Sequence, residues 1–137
     1  MNKHIPSQIQ KWYAQGYNAL IYMVGFNSAA GLGNGIGSQQ FKEGFGEGYV
    51  NHFKGALIVS PTYPLVLNQL KKISSSDRQY KVLANTYHTG VSLSFLAWHF
   101  YSGTHDPIST MIPTALAGYA MVNGQISQET IDTKVNL

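Results

Sequence analysis

Four long stretches of this 137-residue chain, residues 12–41, 55–70, 82–105 and 107–128, carry no formal charge, and together they occupy most of its length. A helix of 20 or more residues needs a charged or strongly polar outer face to stay in water, and the run 12–41 does not supply one. Charged residues amount to 11% of the sequence, against roughly 25% in an ordinary globular domain. The hydrophobic share, 44%, is slightly below the usual range. The chain is poor in charge without being rich in apolar residues.

A bilayer accounts for such gaps. A span requires about 20 mainly apolar residues, and the candidate segments are 17–37, 55–70, 82–101 and 107–123, each diluted by Asn, Ser, Thr, His, Gly or Pro. Spans diluted in this way have to pack against other protein. The expected fold class is therefore all-α: a small polytopic membrane helix bundle of three to four transmembrane segments in one domain, with a polar tail at 124–137. If the chain crosses four times, Lys3, Lys11, Lys71, Lys72, Arg78, Lys81 and Lys134 share one side and only Lys42 and Lys54 lie opposite. The positive-inside rule describes this asymmetry, and it puts both termini on the same, positive side. Aromatic residues such as Trp12, Tyr17, Tyr80 and Trp98 fall near the proposed ends, where rings favour the interface. The N-terminal MNKHIPSQIQKWY has neither an apolar core nor a cleavage box, so any targeting is expected to be internal.

Residues 25–49, GFNSAAGLGNGIGSQQFKEGFGEGY, hold eight of the fourteen glycines. A dinucleotide loop requires G-x-G-x-x-G after a strand. Counted from Gly31, Gly33 or Gly35, the third glycine position holds Ile36, Ser38 or Gln40, and counted from Gly44 it holds Tyr49. No G-K-[ST] ending for a Walker A loop occurs either. The spacing that fits is Gly25, Ala29, Gly33, Gly37, which puts small residues on one helical face over successive turns. Such a glycine zipper lets a second backbone approach closely in a membrane, so these four are the expected helix-packing residues. Gly44, Gly46 and Gly48, set among Lys42, Glu43 and Glu47, read instead as a polar interfacial turn.

The run AAGLGNGIG resembles the glycine-rich first helix of rotary ATP synthase c subunits, and KGALIVSPTYPLVL resembles the second helix of that hairpin, over about 45 residues. The resemblance implies a membrane hairpin. It does not extend to proton carriage, because no Asp or Glu occurs between Glu47 and Asp77. The zipper is also similar to those of inner-membrane translocase proteins. HTGVSL resembles a motif of succinate dehydrogenase anchor subunits, without that family's neighbouring basic residue.

His88 and His99 are eleven residues apart, so on one helix they share a face about 16 Å apart. That spacing suits two axial haem ligands at different depths, and equally two hydrogen-bonding side chains facing protein. His105 and Asp106, in SGTHDP, read as a turn because Pro107 cannot continue a preceding helix. Lys71, Lys72, Arg78 and Lys81 around SSSD offer contact to anionic lipid head groups or a solvated connection. Pro61, Pro64 and Pro113 mark kinks or segments that never span. The absence of cysteine excludes disulfides and thiolate chemistry. The dispersed bases of a +3 chain lack the stripe that tracks nucleic acid.

The expected function is that of an accessory, non-catalytic subunit of a multi-subunit membrane complex of respiratory-chain or ATP-synthase type, without cofactor or metal. Its expected partners are other membrane-protein subunits and lipids, with no nucleic acid. Lys outnumbers Arg eight to one, a composition compatible with an AT-rich genome and an organelle inner membrane. Two alternatives stand beside it. One is a soluble or virion structural protein of low charge and β-rich fold, with ALIVS, VSLSFLAWHF and DTKV as strands. The other is a small membrane anchor binding haem b through His88 and His99.

Overall fold

The computed structural model describes residues 7–125. Four α-helices follow one another: α1 (Ser7–Gly37), α2 (Phe41–Ile73), α3 (Asp77–Tyr101) and α4 (Pro107–Ala120), closed by a π-helical turn, Met121–Gln125. Among the described residues there is no strand. The segments ALIVS and VSLSFLAWHF lie within α2 and α3, which overturns the β-rich alternative for them; DTKV lies outside the described residues.

The helix ends are written in local chemistry. Ser76 caps α3 by accepting from the Gln79 backbone N–H at 3.1 Å, while the Gln79 side chain accepts from the Ser75 N–H at 2.6 Å. This is a near relative of the capping box. At the far end Gly103, with φ +73°, takes the left-handed conformation, and the Thr104 N–H returns to the His99 carbonyl at 3.1 Å. That pattern is a Schellman stop. Asp106 then caps α4 by accepting from the Ser109 backbone and hydroxyl, with Pro107 in the first turn. SGTHDP is thus a turn, as its proline implies.

Membrane spanning is not supported. Among the described residues no helix is long and apolar enough to cross a membrane. α1, α2 and α3 have ample length, but their Asn, Ser, Thr, His and Gly residues remove the necessary hydropathy. α4, with 14 residues, is short of the roughly 20 a span needs. This corrects the polytopic membrane bundle with spans at 17–37, 55–70, 82–101 and 107–123, and with it the integral, organelle inner-membrane placement and the shared positive side of the termini. The helix boundaries differ as well. α2 begins at Phe41, so Gly44, Gly46 and Gly48 are helical rather than an interfacial turn, and the helix runs on through Pro61 and Pro64.

Where each helix turns its small residues sets the packing. α1 and α2 form a close antiparallel hairpin joined by Ser38–Gln40. A Cβ at Gly48 would meet the Ala30 carbonyl oxygen at 2.6 Å, and one at Gly44 the Asn34 carbonyl oxygen at 2.9 Å. The opposite side of α1 receives α4: Gly33 lies against the Ser109 carbonyl and Pro113, Gly25 against the Met121 side chain, and Gly37 against Asp106. Each interior glycine weakens a helix by roughly 1 kcal/mol relative to alanine, and here the two close backbone contacts offset that loss. α3 packs on α4 and α2 with less contact.

The interior is small and strongly polar. One apolar cluster joins Phe26, Tyr63, Leu67, Ala84 and Val122, and a second joins Ala56, Phe95 and Met111. Between and around them are buried Asn27, Asn34, His52, His88, His99, Thr104, Thr110 and Thr114. Among the described residues, more large apolar side chains are exposed than buried.

Candidate functional site

The buried polar residues form two histidine clusters and one asparagine junction. α2 and α3 bring His52 and His99 together with Nδ1 of the first 2.9 Å from Nε2 of the second. The two imidazoles are nearly parallel, 14° apart, with centroids 5.2 Å apart, and Phe95 stacks on His52 with ring centroids 4.1 Å apart. His99 Nδ1 reaches the Thr104 hydroxyl at 2.8 Å, and the Asn51 amide donates to the same oxygen at 3.0 Å. The Trp98 indole N–H donates to the Asn51 carbonyl at 2.8 Å. Only one proton fits between the two rings, so the pair has two arrangements: each ring in turn donates to the other, and the Thr104 hydroxyl accepts or donates to match.

Burial first, then the neighbouring His99, lowers His52 from 6.5 to about 3. Burial lowers His99 to about 4, with Glu47 partly opposing it. Removing an imidazolium from water is unfavourable, and a second ring beside it compounds the penalty.

His88, eleven residues before His99, lies on the same buried side of α3. Its Nε2 is 2.8 Å from the Ala115 carbonyl, which can only accept, so Nε2 carries the proton. Nδ1 therefore accepts from the Tyr63 hydroxyl at 2.6 Å. The ring is packed tightly against Gly118, where any Cβ would overlap it. Phe26 stacks on it at 6.2 Å and Tyr119 meets it edge-on at 4.5 Å. Burial again holds its basicity down, against the Ala115 carbonyl.

Asn34 is the junction. Its amide donates to the Gly44 carbonyl and to Glu47 Oε2, both at 2.7 Å, and its oxygen accepts from the Asp106 N–H at 3.0 Å. Glu47 also accepts from the His105 N–H at 3.0 Å. One side chain so ties α1 to α2 and to the loop before α4. Beside it, Ser38, Gln40, Glu43, Glu47 and His105 line an open polar recess of about 470 Å³.

Of the residues singled out from the sequence, Gly33 faces α4, Gly25 faces Met121 in the turn after it and Gly37 faces its cap Asp106, and Ala29 is half-buried on the same helix. His88 and His99 are both buried, and both ring nitrogens of each are committed to protein partners. Lys72, Arg78 and Lys81 are exposed and Lys71 half-buried where α2 passes into α3, with Lys71 and Lys72 in the last turn of α2, where cations complement the helix dipole. His52 was missed because it lies in a segment read as a connection. Once Phe41–Ile73 is taken as helix, Gly44, Gly48 and His52 recur at four-residue spacing, and that signal finds it.

Comparison of the chain with protein-family models, curated proteins and solved structures finds no match.

Proposed function

We propose that the protein is a structural subunit of a larger protein assembly, holding other subunits by apolar helix faces rather than catalysing a reaction. The observation that carries this reading is the inverted distribution of polarity. α4 turns Ile108, Ile112 and Leu116 outward at four-residue spacing, 59%, 56% and 63% exposed, while its Thr110 and Thr114 are buried. α1 exposes Leu32 and Ile36, and helical periodicity puts them beside the contact with α4, on its outer side. No formal charge occurs in α4, or in α1 from residue 12 onward. Fully covering one such side chain is worth about 1.5–3 kcal/mol, and a contiguous apolar face of this kind marks an interaction surface.

The histidines support the same reading from inside. They bond to one another, to hydroxyls and to backbone, and so serve as cross-links between helices. The partners in this reading are other protein chains.

Native mass spectrometry of material isolated from its source without detergent tests the proposal. The expected result is a species well above the 15.1 kDa chain, either a homo-oligomer or a complex with other subunits. A monodisperse monomer that stays in solution would sink it.

A further inference from the structure

Three buried side-chain atoms lack a hydrogen-bond partner among the described residues: Nδ2 and Oδ1 of Asn27, and Nε2 of His52. Both residues have no exposed surface. An unsatisfied buried polar group costs about 1–3 kcal/mol, and a domain has only about 5–15 kcal/mol of net stability. Three such atoms in one interior require a partner.

The register of the α1–α2 hairpin brings them to the same level. Gly44 meets the carbonyl of Asn34 and Gly48 that of Ala30. In antiparallel helices each step of four along α2 matches a step of about four back along α1, so His52 comes level with Phe26 and Asn27. The next step agrees, since Met23 packs against the cluster that contains Ala56. Phe26 is turned toward Tyr63 and His88, which leaves Asn27 as the polar side chain of α1 at the level of His52.

We infer that Asn27 and His52 form an internal water site that bridges α1 and α2. Water has two donors and two acceptors, and buried waters typically take about three hydrogen bonds from otherwise unsatisfied groups. It accepts from Asn27 Nδ2, donates to Asn27 Oδ1, and either accepts from or donates to His52 Nε2. That adaptability matters at this position, because the proton between His52 and His99 sits on either ring, and His52 Nε2 is a donor in one arrangement and an acceptor in the other. A fixed protein partner suits one of them; water suits both.

Oxygen-17 magnetic relaxation dispersion counts long-lived internal waters in whatever assembly the protein forms. The wild type is expected to hold at least one more than Asn27→Leu, and His52→Phe is expected to lose the same water. Equal counts in wild type and in folded variants would overturn the inference. Should neither variant fold, a high-resolution crystal structure of the wild type decides: solvent density within hydrogen-bond reach of both side chains supports the site, and a direct Asn27–His52 bond without solvent refutes it.

Discussion

His52 Nδ1 and His99 Nε2 lie 2.9 Å apart between α2 and α3, and neither residue has exposed surface. The fold is therefore built around neutral imidazoles, and its stability is tied to pH through them.

For His52, His99 and His88 the folded value lies below the ordinary 6.5. Below that pH the unfolded chain binds protons that the folded chain refuses. Their contribution is fully present above about 6.5 and declines as pH falls toward the folded values, about 4 for His99 and about 3 for His52. Each such group is worth up to about 1.4 kcal/mol per pH unit in that window. Urea denaturation between pH 7.5 and 4.5 is expected to show a midpoint falling with acidity. A midpoint independent of pH would mean that the histidines are not buried neutral.

Gly118 and Gly90 offer a matched pair. A Cβ at Gly118 overlaps the His88 ring, whereas one at Gly90 meets nothing within 4 Å. Gly118→Ala is expected to destabilise by about 1–3 kcal/mol as the ring is displaced. Gly90→Ala is expected to stabilise by up to about 1 kcal/mol through helix propensity. Thermal melts of the two variants should move in opposite directions.

Replacing Asn34 by alanine leaves the Gly44 carbonyl, Glu47 and the Asp106 N–H each short of a partner. With each lost bond worth about 1 kcal/mol and unsatisfied buried groups more, a loss of about 2–4 kcal/mol is expected in chemical denaturation. Amide exchange at Asp106 should quicken at the same time. A change below the error of the measurement would show that the junction does not hold the loop.

The proposed assembly predicts an effect on the outside of the molecule. Ile112→Lys removes apolar surface from the exposed stripe of α4 without touching the core. Association is expected to weaken at least tenfold by sedimentation, with the circular dichroism of the helices unchanged. Unaltered association would place the contact on another face.

Helical content was legible from the sequence, and so was the face shared by Gly25, Ala29, Gly33 and Gly37, because helical periodicity is a local property. His88 and His99 could be placed on one side of one helix for the same reason. The environment is not legible in the same way. Long uncharged runs point to a bilayer, whereas Asn27, Asn34, His52, His88 and Thr110 are buried inside the bundle. A count of charges cannot tell a lipid-facing residue from a polar one turned inward.

The sequence by itself determined helical character over the four uncharged stretches, the turn at SGTHDP, and a small-residue face, Gly25, Ala29, Gly33 and Gly37, suited to close contact. These follow from propensity and spacing within a few residues. Only the tertiary structure decided which helix each face receives, that His52 pairs with His99 across 47 positions, and that Tyr63 and Gly118 enclose His88. Those contacts depend on the register of helices distant in sequence, which no local pattern specifies.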